Sequence, residues 1–78
     1  MSRQEIMDIT ADAIRVVLGD KKLEITEDTY LIDELGFNSL DVMEMIGELE
    51  ESFGCTIDED ELEQFAQVRD IVEYIVKM

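Results

Sequence analysis

Apolar residues return at intervals of three and four in three separate stretches of this chain, and that periodicity commits it to packed helices. The first stretch runs Ile6, Ile9, Ala13, Ile14, Val17, Leu18. Ser2 and Glu5 stand ahead of it in the S-x-x-E order of a capping box, and Gly19 and Asp20 follow it, so a helix is predicted over residues 2–18. Lys21 and Lys22 then fall near the negative end of that helix dipole. The second stretch, Val42, Ile46, Leu49 and Phe53, has Asp41, Glu44, Glu48 and Glu51 on its opposite face and predicts a helix over 39–53, ended by Gly54. A short extended piece at 55–57 leads to Asp58, which with Glu61 three residues on predicts a short helix over 58–64. The third stretch, Val68, Ile71, Val72, Ile75 and Val76, is expected to close the core.

Residues 23–38 lack a period. Leu23, Ile25, Leu31, Ile32 and Leu35 are scattered there among Thr, Asp and Glu, as anchors of a long ordered loop that runs back along the helices. With no proline, repeat or low-complexity segment, residues 1–78 are expected to form one all-α domain.

A chain of 78 residues has little room for a buried site that handles two substrates, because folding at this size removes only a little over ~60% of the chain's surface from water. Hydrophobic residues make up 46% of the sequence, so it folds despite a net charge of -15. The single cysteine, Cys55, rules out an internal disulfide and suits a reducing compartment; with no cationic start and apolar run of a secretory kind, and no apolar stretch of membrane length, the expectation is a cytoplasmic protein. Six basic side chains against 21 acidic ones exclude a nucleic-acid partner and point to basic protein surfaces instead. No Lys or Arg occurs between Lys22 and Arg69, so one face is expected to be almost purely negative.

Ser39 stands directly after Gly36, Phe37 and Asn38 and at the start of the second helix. One reading makes it a plain helix N-cap. The other notes that a phosphodiester on a hydroxyl there faces unpaired backbone N–H groups and the positive end of the helix dipole. The chain has no histidine and no lysine near Ser39, so no base is at hand to make it a catalytic nucleophile, and another enzyme would have to act on it. Cys55, without basic neighbours, is expected to pack and not to react.

The run LGFNSLDVMEMIGELEESFG, residues 35–54, resembles the signature of acyl carrier proteins, LGxDSL followed by an acidic helix. The capped first helix, the long loop, the acidic third helix and the closing RDIVEYI follow in that family's order. The resemblance implies a four-helix bundle of three longer helices and one short one. It also implies that Ser39 receives 4′-phosphopantetheine from coenzyme A through a phosphopantetheinyl transferase, that the arm's thiol carries acyl groups as thioesters, and that the protein itself is no enzyme. Matching positions give an acyl pocket of Ile46, Leu49, Ile57, Leu62 and Phe65, with ordinary core packing as the competing reading. They also give a docking face for basic patches on acyl-loading and acyl-processing enzymes, made of Leu40, Asp41, Met43, Glu44, Glu50, Glu51, Glu59 and Glu63, with a solvated surface as the competing reading. A monomer is expected.

The chain departs from the family pattern in three places: Asn38 for the common Asp, Gly47 for a bulky apolar residue, and Asp58 for a frequent proline. Service in fatty-acid or polyketide-type synthesis is the first expectation. An aminoacyl or peptidyl carrier, as in D-alanylation or nonribosomal peptide assembly, is the alternative that Asn38 leaves open. An unmodified acidic interaction module is a third. The runs DEDELE and GELEES lack the DxDxDG spacing of a calcium loop, so no dedicated metal site is expected.

Overall fold

The computed structural model describes residues 1–78 apart from the side chain of Glu59. Three α-helices carry the fold: α1 (Arg3–Leu18), α2 (Ser39–Phe53) and α3 (Val68–Val76), with a 3-10 helix (Glu59–Gln64) between α2 and α3. Among the described residues there is no strand, only one isolated antiparallel bridge between Tyr30 and Gln67.

The local rules account for most of these boundaries. Ser2 caps α1 reciprocally: its Oγ accepts the Glu5 N–H at 3.1 Å and Glu5 accepts the Ser2 N–H at 3.0 Å. Gly19 and Gly54 close α1 and α2 in the left-handed conformation. The predicted short helix forms as a 3-10 helix with Asp58 as its cap, Oδ1 accepting the Asp60 N–H at 3.0 Å. Its sequence, EDELEQ, sets like charges at i,i+4 spacing, and that repulsion together with its shortness disfavours a regular α-helix.

α1 packs against both α2 and α3. Ile14 from α1, Met45 and Leu49 from α2, and Val68, Ile71 and Val72 from α3 are fully buried. Each such side chain contributes about 1.5–3 kcal/mol relative to exposure. Leu31 and Phe37 join this core from the connection between α1 and α2. The connection is pinned to the entrance of α3: Leu31 donates to the Ala66 carbonyl at 3.0 Å, Val68 to that of Thr29 at 2.9 Å, and Arg69 to that of Glu27 at 2.9 Å. A turn over residues 30–36, held by the Tyr30 and Ile32 carbonyls, ends at Gly36 with φ 70°. That left-handed geometry strains any residue with a Cβ; it reverses the chain so that Phe37 enters the core just ahead of α2.

Two apolar positions differ from expectation. Ile32 is 63% exposed, because within this turn Leu31 takes the inward position. Val76 is 45% exposed, because α3 ends there and Ile75 forms the last layer of the core.

Arg3 draws the start of α1 to both neighbours, pairing with Glu27 of the connection and, at 2.6 Å, with Glu73 of α3. The hydrogen bond from Arg3 holds the Glu27 carboxyl below the usual carboxylate range, and the same two carboxylates raise the Arg3 guanidinium. A depressed acid stabilises the fold above its unfolded value, about 4.3 for Glu, and the contribution fades as pH falls through the lower folded value. Wild type is therefore expected to be more stable than Glu27→Gln at neutral pH, with the gap closing below about pH 4; urea melts of both proteins across pH check this, and a gap that widens on acidification contradicts it.

Candidate functional site

α2 begins where Asn38 makes it begin. The Asn38 backbone is extended, its Oδ1 accepts the Asp41 N–H at 2.9 Å, and an Asp41 carboxylate oxygen accepts the Asn38 N–H at 3.2 Å. The Asn38 carbonyl accepts the Val42 N–H at 3.1 Å. The reading of Ser39 as the helix cap is therefore corrected: Asn38 holds that place and Ser39 is the first helical residue. The Ser39 side chain is exposed, and among the described residues no hydrogen bond uses its hydroxyl or the backbone N–H of Ser39 or Leu40.

The other two serines offer less. Ser2 Oγ is occupied by the Glu5 amide, and Ser52 lies in the last turn of α2, at the end of the dipole that repels an anion. Of the three serines, Ser39 alone combines a free hydroxyl with unpaired amides at the positive end of a 15-residue helix.

Around Ser39 the surface is apolar and acidic together. Leu40 is 73% and Met43 53% exposed. Glu44, Glu51 and Glu63 are exposed, and no ion pair among the described residues engages them. Asp41 is half-buried and tied into the cap. Glu50 is half-buried too, and it accepts the Ile57 N–H at 2.7 Å, a bond across the α2 to 3-10 connection that sequence reading did not find. The acidic side chain of Glu59 lies outside the described residues. Among those described, no three His, Cys, Asp or Glu residues are placed to hold a metal ion.

Two clefts run between α2 and the 3-10 helix. One, of about 300 Å³, opens at Ser39 and is walled by Ile32, Val42, Met43 and Leu62. The next, of about 500 Å³, is walled by Met43, Ile46, Gly47, Glu50, Ile57 and Leu62. Met43 and Leu62 line both, so the two clefts are neighbours along a groove between α2 and the 3-10 helix, with Ser39 at the nearer one. Of the five residues matched to an acyl pocket, Ile46, Ile57 and Leu62 line this groove. Leu49 is fully buried behind it. Phe65 is buried, meets Tyr74 edge-on at 5.7 Å between ring centres, and lines a separate recess with Glu61 and Tyr74. Cys55 is half-buried against the core.

Residues 6–75 match the family described as a phosphopantetheine attachment site. An acyl carrier protein of Thermotoga maritima is 40% identical over 76 residues, 97% of this chain and 94% of the relative. An acyl carrier protein of Exiguobacterium sibiricum is 40% identical over 75 residues, 96% of this chain and 95% of the relative. A solved structure from Mycobacterium tuberculosis, assigned as an acyl carrier protein, superposes with a TM-score of 0.84 at 26% identity, over 92% of this chain and 96% of that one.

The cap that places Ser39 is open to direct measurement. Asn38→Ala removes the acceptor for the Asp41 amide and is expected to lower unfolding free energy by about 1 kcal/mol, whereas Asn38→Asp keeps an acceptor and is expected to retain stability. Equal urea midpoints for wild type and Asn38→Ala would show that the cap does not set the start of α2.

Proposed function

Because this chain belongs to the acyl carrier protein family, whose members carry acyl groups as thioesters on covalently attached 4′-phosphopantetheine, we propose that Ser39 is its point of attachment. The observation that supports this most directly is the exposed, unbonded Ser39 hydroxyl in the first turn of α2, beside two unpaired amides and at the mouth of a groove. The arm, when attached, supplies the thiol that this chain does not itself present: Cys55 is half-buried. A phosphodiester on Ser39 Oγ gains the N-terminal amides of α2 as partners, and the Asn38–Asp41 cap keeps those amides in place.

The protein's own part is to hold, shelter and present. It contains no histidine, and we assign it no catalytic step; a phosphopantetheinyl transferase loads Ser39, and acyl-loading and acyl-processing enzymes act on the cargo. They dock where exposed Leu40 and Met43 adjoin the unneutralised Glu44, Glu51 and Glu63, a pattern of apolar contact with acidic surround that suits basic patches. Asp41 and Glu50 adjoin this face but also hold local structure. Among the described residues no helix is long and apolar enough to cross a membrane. We read residues 1–78 as one acyl-carrier domain, a four-helix bundle counting the 3-10 helix, that acts as a monomer in the cytoplasm in fatty-acid or polyketide-type synthesis.

Incubation with coenzyme A and a broad-specificity transferase is expected to add one phosphopantetheine to wild type by intact mass and none to Ser39→Ala. No gain for wild type, or an equal gain for Ser39→Ala, would remove the assignment. Charge reversal at Glu44 or Glu51 is expected to weaken transferase binding about tenfold at low salt and much less at high salt, with the thermal midpoint unmoved. Those positions serve better than Glu50, whose reversal also removes the acceptor for the Ile57 amide.

A further inference from the structure

Gly47 lies inside α2, where glycine costs about 1 kcal/mol relative to alanine. Glycine is usually kept in such a place for a positive φ or for a close approach. Neither applies: the positive-φ glycines are Gly19, Gly36 and Gly54, and a Cβ built at Gly47 meets nothing within 4 Å. The residue is exposed, so no core packing would be disturbed by a side chain there. What Gly47 does border is the larger cleft, of about 500 Å³, on the wall that it shares with Met43 one turn earlier, Ile46 beside it and Glu50 one turn later. A side chain at 47 would stand in line with Met43 along α2 and extend that wall over the opening.

We propose that Gly47 sets the capacity of the groove for the acyl chain: by leaving this stretch of the α2 wall bare, it lets cargo pass from the Ser39 cleft into the larger one. The inference rests on attachment at Ser39, since the occupant is the acyl chain on this protein's own arm. Adjacency favours that occupant, because the cleft at Ser39 and the cleft at Gly47 share Met43 and Leu62 as walls, with Ile46 and Ile57 supplying apolar surface farther in. Enclosure of a saturated chain there removes apolar surface from water, so a sheltered cargo stabilises the fold in proportion to the length enclosed.

The test loads wild type, Gly47→Ala and Gly47→Leu from the butanoyl, octanoyl and dodecanoyl esters of coenzyme A with a broad-specificity transferase. Loading is verified by intact mass, and the rise in thermal midpoint is read for each acyl form over the same variant carrying the bare arm. This increment cancels the helix-propensity gain that both substitutions bring. In wild type it is expected to grow from butanoyl to octanoyl. In Gly47→Leu the octanoyl and dodecanoyl increments are expected to fall to less than half of the wild-type values, with Gly47→Ala between. Equal increments in Gly47→Leu and wild type would overturn the inference, as would a wild type that gains nothing from any acyl chain. If no variant gains mass, or the mass lies on a residue other than Ser39, attachment at Ser39 fails and this inference with it; verified loading at Ser39 with equal increments is a failure confined to Gly47.

Discussion

The reciprocal bond between Asn38 and Asp41 is the constraint on which the site depends. An amide side chain and a carboxylate, each satisfying the other's backbone N–H, fix the first turn of α2 and leave the next residue, Ser39, with nothing to hold. Had Ser39 capped the helix itself, its hydroxyl would have been engaged with a backbone amide, as that of Ser2 is at α1. The division of labour between neighbours is therefore the structural condition for a modifiable serine: one residue caps, and the following one is free. Gly36 and Phe37 prepare the same point from the other side, the glycine by reversing the chain and the phenylalanine by anchoring it in the core.

The ion pairs of the fold lie apart from the proposed docking face, where only Asp41 and Glu50 also serve local structure. Arg3, Arg15 and Arg69 are spent inside the molecule: on Glu27 and Glu73, on Asp12, and on Asp28. The Arg3 and Arg69 pairs join α1, the connection and α3, and the Arg15 pair lies within α1. Among the described residues the acidic groups of α2 receive no such partner, so their charge stays unneutralised and available to a cationic surface. In the proposed docking, exposed Leu40 and Met43 supply apolar contact that charge alone does not give.

The helical elements were legible because each buries one face, and a buried stripe writes itself into the sequence at three- and four-residue spacing. Ile46 and Leu49 in α2 and Val68, Ile71, Val72 and Ile75 in α3 are inside as that spacing requires, whereas Val42 and Phe53 of the same stripe are half-buried and Met45, beside it, is fully buried. The start of α1 was legible as well, since Ser2 and Glu5 are the only pair there able to cap reciprocally. What escaped was whatever two adjacent residues could do equally well. Asn38 and Ser39 are both good caps, and the choice falls to the one whose partner three residues on, Asp41, returns the bond. Leu31 and Ile32 are both apolar, and the turn places one inward and leaves the other in water. Long-range bonds left no trace at all: nothing local marks Glu50 as the acceptor for Ile57, or Thr29 as the acceptor for Val68. Gly47 did stand out as an oddity in a helix, but the cleft that it borders is formed only when the 3-10 helix is brought alongside α2.

The claim that joins fold, charge and chemistry is that the tether sits on Ser39 and on no other residue. Digestion after glutamate separates the three serines, placing Ser39 in residues 35–44 and Ser52 in a different peptide. After loading with coenzyme A and a transferase, fragment masses are expected to locate the phosphopantetheine on the 35–44 peptide alone. Its appearance on a peptide bearing Ser2 or Ser52, with the 35–44 peptide unmodified, would contradict the account.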